Sequence, residues 1–219
     1  MLIASVVVIL ITILTLALWP AETEPSYQGK KLSDWLQFNK DPYPAVAARV
    51  LILTPPYEPK TFRIWFPANL EGQEALRQIG TNAIPFLLKW VSYTRPAWKN
   101  RAAAAYTNCP SALVNRSLQS WLTYSKAERL ADVSVSAFAI LGTNAAPAVP
   151  ELIQKLHHTH DVPTLERIIL SLGSVGTAAK EALPCLNELT HNPASRLYAP
   201  AMAATQSIEK DWPHQQYFY

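Results

Sequence analysis

GTNAIPFLL occupies residues 80–88 and GTNAAPAVPEL residues 142–152, so the chain writes Gly-Thr-Asn-Ala-x-Pro twice, 62 residues apart. Working outward, each copy ends one apolar-periodic stretch and begins another. EALRQI (74–79) precedes the first glycine and SAFAIL (136–141) the second. After them, Ile84, Leu87, Leu88 and Val91, and again Val149, Leu152, Ile153 and Leu156, follow the i, i+3, i+4, i+7 template of a one-sided helix. A third copy, SVGTAAKEALPCLNEL (174–189), puts Gly176 34 residues after Gly142, with Pro184 after Pro150 and Leu186 after Leu152 at the same interval. Leu165, Ile168, Ile169 and Leu172 mark the helix before it, and Leu197, Ala201, Ala204 and Ile208 a last helix after it.

Each glycine has a local reason. It ends the first helix of a pair in a left-handed conformation, which costs least at glycine. Thr or Asn follows to shape the turn and cap the next helix. Proline falls in the first turn, where no helical donor is lost. A helix–turn–helix unit of this size cannot hide its apolar stripe alone, so neighbours must stack. Gly142, Ala145, Ala146, Pro147, Pro150 and Leu152, with Ala137 and Leu141 ahead of them, resemble a HEAT repeat. So do Gly80, Ala83, Pro85 and Leu87, and Gly176, Ala179, Leu183, Pro184 and Leu186. The resemblance covers 126–209 well and 70–92 fairly, and the layout resembles bacterial membrane-anchored HEAT-repeat domain proteins. It implies an all-α fold, a right-handed α-solenoid of HEAT-like helical pairs. The signature encodes packing rather than chemistry.

Two stretches depart from a regular array. Between the first two copies, Val114, Leu118, Trp121 and Leu122 fit one helix and Leu130, Val133, Ala137, Ile140 and Leu141 another, leaving a long loop around Thr94–Pro110. The prolines of Thr54–Leu70 forbid a long helix there. Nearer the N-terminus, Leu32, Trp35 and Leu36, with Ser33 placed to cap, predict a short helix closing the open end of the stack. Asp41-Pro42 then opens a helix with Val46, Val50 and Leu53 inward.

Leu2–Trp19 is an uncharged apolar run of 18 residues. As a helix it is about 27 Å long, close to the ~30 Å hydrocarbon slab of a bilayer. Trp19 stands where an interfacial aromatic belongs, and Pro20 stops the helix. Of two alternatives, a cleaved signal peptide would want a basic start and small residues before the cut, and a buried core helix would be shorter or show a polar face. The expected organisation is a transmembrane anchor (or signal segment) at 1–20, a linker at 21–31, the solenoid at 32–212 and a tail at 213–219. That makes a single-pass membrane protein. Lys30 and Lys31 behind the run favour a cytoplasmic domain by the positive-inside rule, whereas an N-terminal anchor before one large domain commonly exports it. The extracytoplasmic side is the orientation adopted, with the cytoplasmic one open.

Net charge is +3, from 19 basic and 16 acidic residues, which gives no case for nucleic acid or a polybasic membrane surface. Cys109 and Cys185 allow one disulfide in an oxidising compartment, but two free thiols is the simpler reading. His157, His158 and His160 fit a polar helix end better than a metal site, because His157 and His158 point about 100° apart on a helix. Glu128, Asp132, Glu151, Glu166 and Glu181 fall on helix exteriors by periodicity. No phosphate loop, nucleophile elbow or dinucleotide fingerprint occurs. The expected function is therefore a membrane-anchored scaffold for a protein or peptide partner, without catalysis, cofactor or metal. Tyr57, Phe62, Trp65, Phe66 and Trp98 are the candidate partner-binding residues, because aromatic anchors dominate interfaces, although rings folded back to cover the stack are the favoured reading of these aromatics. Enzymes resembling HEAT arrays, bilin lyases and DNA glycosylases, are the alternative that the resemblance implies. A purely structural envelope-complex subunit is a third.

Overall fold

A computed structural model of the chain describes residues 23–36, 47–54, 58–65, 70–107 and 115–209. The Leu2–Trp19 run lies outside them, as do Tyr57, Phe66, Cys109 and Val114.

The chain is mostly helical. A two-residue hairpin, β1 (Ser26–Tyr27) with β2 (Lys30–Lys31), leads into the short helix α1 (Leu32–Trp35). Leu32, Trp35 and Leu36 are all buried, as the sequence predicts. Ser33 does not cap this helix. Glu24 reaches across instead, its carboxylate accepting from the Ser33 N–H and, at 3.1 Å, from the Ser33 hydroxyl.

Two expectations fail next. Where a helix with Val50 and Leu53 inward was expected, β3 (Ala47–Thr54) pairs antiparallel with β4 (Glu58–Trp65), from Thr54 opposite Glu58 to Ala47 opposite Trp65. An all-α chain is therefore the wrong description of this segment. The run RVLILT is β-branched and leucine-rich, and Pro55, Pro56 and Pro59 deny a helix its donors. Pro59 can sit in a strand because each member of a two-stranded sheet is an edge. β4 runs against α6 and β3 reaches α10, two helices of the main body.

That body begins with α2 (Leu70–Ile79) and α3 (Ile84–Val91). The second failure follows: the expected loop at 94–110 contains α4 (Ala97–Thr107). Alanines 102–105 favour helix strongly but mark no apolar face, so periodicity misses it. Then come α5 (Arg116–Thr123), α6 (Lys126–Leu141), α7 (Val149–His158), α8 (Val162–Val175), α9 (Leu183–Leu189) and α10 (Tyr198–Glu209). No strand occurs among the described residues from 70 onward.

The three glycine turns share one geometry. Gly80, Gly142 and Gly176 have φ of 59°, 52° and 72°, and each opens a 3-10 turn (Gly80–Ala83, Gly142–Ala148, Gly176–Ala182) running straight into the next helix. At Gly142 and Gly176 ψ is −130° and −144°, so the residue lies in the glycine-only mirror of extended backbone rather than in the left-handed helix region. A Cβ at Gly80 or Gly142 would touch nothing within 4 Å, so backbone conformation, not space, demands glycine. The expected Thr or Asn cap is absent. Ala83, Ala148 and Ala182, the residues before α3, α7 and α9, already have helical dihedrals and offer no side-chain bond. Proline does fall in the first turn of each of these helices.

Packing follows the stripes. α2 and α3 lie on α6, α6 on α8, and α8 on α10, while α7 and α9 pack beside α8 and α10. The turn at Gly80 touches that at Gly142, and the latter touches that at Gly176. Leu87, Leu152 and Leu186 have no solvent exposure, and one apolar cluster runs from Leu32 to Ile208. α8 and α10 approach so closely that a Cβ on Gly173 would lie 2.8 Å from Ala204 Cα. Buried serines in α6 and α8 return their hydroxyls to helix carbonyls: Ser134 to Ala131 at 2.6 Å and Ser171 to Arg167 at 2.8 Å.

Among the described residues one helical stretch, Lys126–His158, is long and apolar enough to cross a membrane by length and composition. It is α6 and α7 joined through the positive-φ Gly142, with 56% of its apolar window buried inside the protein. We read it as core helix.

Candidate functional site

The polar side chains that the fold brings together gather where Ser92–Pro96 leaves the C-terminus of α3. Two hubs hold this corner. Arg167 of α8 donates to the Tyr93 carbonyl at 2.5 Å and to Thr164 Oγ1 at 3.0 Å, and pairs with Asp132 of α6 at 3.3 Å. It also donates to the Val91 carbonyl at 3.4 Å, so one guanidinium closes off the last carbonyls of α3. Asp161, at the N-cap of α8, accepts from the Thr164 N–H at 3.0 Å and its hydroxyl at 2.6 Å. Asp132 Oδ2 accepts from the Tyr124 hydroxyl at 2.7 Å. Burial of that hydroxyl, together with the hydrogen bond to Asp132 and its charge, pushes its pKa up, keeping it a donor.

The second hub is Glu128 in the first turn of α6. It accepts from Arg95 at 2.7 Å, from Lys99 of α4 at 2.6 Å, and from the Ser125 N–H and hydroxyl at 2.6 and 2.7 Å. Arg95 also donates to the Leu122 carbonyl. Burial pushes the Glu128 carboxyl up, but Lys99, Ser125 and Arg95 more than offset it, and the net shift is downward. Glu128 is thus a correction to the reading of scattered, solvated acids: it is 7% exposed and Lys99 is 3% exposed. Periodicity could not show this, because Lys99 lies on a helix that the pattern did not reveal.

Above this hub two indoles lie side by side. Trp98 of α4 and Trp121 of α5 have ring centroids 5.9 Å apart and planes 35° apart. Lys99 Nζ sits 5.3 Å from the Trp121 centroid. Both rings face water, at 56% and 49% exposure, joined by Leu118 and Tyr124. Of the apolar residues that fit this helix, Leu118 and Trp121 face water and Leu122 turns into the core. The start of α5 is held by Asn115, whose side chain accepts from the Ser117 and Leu118 N–H groups at 2.9 and 3.2 Å.

Of the aromatic residues expected to bind a partner, Trp98 stands on this surface, while Phe62 and Trp65 belong to β4 and Tyr57 and Phe66 lie outside the described residues. The sequence reading missed Trp121 as their companion. It also missed the local charge. From Ala75 to Ala127 there is no Asp or Glu, but there are seven cations: Arg77, Lys89, Arg95, Lys99, Arg101, Arg116 and Lys126. The mild whole-chain total conceals that block.

A second feature is an open groove of about 570 Å³ between the end of α3 and the outer face of α7. Ser92, Pro150, Gln154 and His158 line it. Its walls are polar and apolar in about equal measure, with Glu151 and Lys155 among the polar groups. His157 and His158 lie exposed in the last turn of α7, where they suit the helix dipole. His157 Nε2 is 3.3 Å from the Cys185 sulfur, and Cys185 carries a free thiol. Among the described residues no group of three or more His, Cys, Asp or Glu side chains is arranged to hold a metal. Comparison of the chain with known protein families, with curated proteins and with solved structures finds no match.

Proposed function

We propose that the protein is a membrane-held right-handed α-solenoid of HEAT-like pairs that acts as a scaffold for a protein or peptide partner. One observation carries this reading. The same unit, a positive-φ glycine, a 3-10 turn and a proline-started helix, recurs at Gly80, Gly142 and Gly176, and successive turns touch. Repetition of that kind builds an extended surface from elements that have no separate stability. The charged side chains at the α3 corner are engaged in holding units together, which suits a scaffold. The partner face we assign is the groove beside α7, where Gln154 and His158 can meet the backbone of an extended peptide.

The test is site-specific photocrosslinking of the full chain in its native membranes. A photoreactive residue at Gln154 is expected to give a discrete adduct that is absent from the same residue at Glu188, on α9. Pro150→Arg, at the groove wall, is expected to abolish the adduct. No adduct from Gln154, or the same adducts from both positions, overturns the assignment.

A further inference from the structure

We propose that the α4–α5 surface around Trp98, Leu118, Trp121 and Tyr124 docks on the headgroup layer of an anionic bilayer. The inference rests on reading Leu2–Trp19 as a membrane span, and three observations support it. The first is reach. The folded body already begins near Thr23: the Leu32 N–H bonds the Pro25 carbonyl at 2.9 Å and Glu24 holds Ser33. Three residues, hence four Cα-to-Cα steps, separate Trp19 from Thr23, and such a chain spans at most about 14 Å. A span ending at Trp19 therefore holds the start of the body within about 14 Å of the bilayer, where one of its faces can reach the lipid headgroups.

The second observation is side-chain chemistry. Tryptophan and tyrosine have an apolar body and a polar edge and concentrate at the bilayer interface. Two Trp, one Tyr and one Leu are 42–56% exposed on this surface. On α5 Leu118 and Trp121 share a helix face, and Tyr124 follows three residues on.

The third is charge. Both helices lie within the stretch 75–127 that has no Asp or Glu, and Arg101, Lys126 and Arg129 are exposed on and beside them. The two nearest carboxylates are engaged, Glu128 with Arg95 and Lys99 and Asp132 with Arg167 and Tyr124. The field leaving the surface is positive, and an anionic leaflet is its complement.

The experiment uses the full chain with Cys109→Ser and Cys185→Ser, labelled with an environment-sensitive fluorophore through Leu118→Cys. Leu118 is exposed, so the change leaves the core intact, and circular dichroism verifies helicity. A second preparation carries the label through Glu188→Cys on α9. Each is placed in nanodiscs of phosphatidylcholine alone and of phosphatidylcholine with phosphatidylglycerol. The expected result is a blue shift at position 118 in the anionic discs that salt reverses, with no change at 188. Arg101→Glu with Lys126→Glu is expected to remove the shift. If the chain enters the discs but position 118 stays watery in both lipids, the proposal is overturned and the anchor stands. If the chain does not enter the discs, the anchor falls and the proposal with it. A shift in detergent that grows with protein concentration assigns the surface to a second copy of this chain and also overturns it.

Discussion

Glycine acts in two distinct ways in this chain. At Gly142 the space beside the residue is open and only the backbone angles forbid a side chain. At Gly173 the angles are ordinary and the obstacle is Ala204. Gly142→Ala is expected to lower stability by about 1–3 kcal/mol through strain. Gly173→Ala is expected to cost a similar ~1–3 kcal/mol, by pushing α8 from α10. Urea unfolding separates them: D-alanine, whose mirror-image backbone preference fits a positive φ, is expected to be tolerated at 142 and not at 173, where the nearest obstacle is the Ala204 Cα. The Glu128 hub carries a third prediction. Its carboxyl has a folded pKa below its ordinary value of 4.5. Its stabilisation is thus complete above that value and is lost as pH falls through the lower, folded pKa. Glu128→Gln leaves Lys99 and Arg95 without their counter-charge and is expected to cost about 3–5 kcal/mol near neutrality. Unfolding free energy measured against pH is expected to show a shallower acid slope in the variant. An unchanged slope would remove Glu128 from the account.

At the scale of elements, legibility tracked how each helix is buried. α3, α7 and α8 turn one stripe inward, and Leu87, Leu152 and Ile169 stand where the 3.6-residue period puts them. α4 buries Lys99 against a carboxylate and shows alanines elsewhere, so it has no stripe to find. α5 has a stripe, but most of it faces water, and an outward Trp looks the same in sequence as an inward one. The β3–β4 hairpin was obscured because Val50 and Leu53 satisfy a short helical window as well as a strand. As for candidate sites, Trp98 was recognisable as an aromatic out of place. The pairing with Trp121 and the buried hub beneath it join helices that no local pattern connects. Leu152→Ala, at the centre of α7, is expected to cost about 2–5 kcal/mol, read from the urea midpoint at unchanged slope.

Across the whole molecule, the apolar cluster is continuous from Leu32 to Ile208, while polar fastenings are denser between α3, α6 and α8 than between α8 and α10. Arg167 alone joins the last carbonyls of α3, a carboxylate of α6 and a hydroxyl of α8. α10 is tied to α8 by Ser207 donating to the Gly173 carbonyl at 2.8 Å, and an exposed pair, Arg196 with Glu166 of α8, spans 2.8 Å just before α10 begins. Exposed pairs of that kind contribute little. A rivet among the earlier helices and a light stitch on the last give the molecule a direction in which to come apart. Amide protons of α9 and α10 are expected to exchange before those of α3 and α6 under native conditions. Pulled from its C-terminus, the chain should peel from Glu209 inward and stall when the load reaches Arg167.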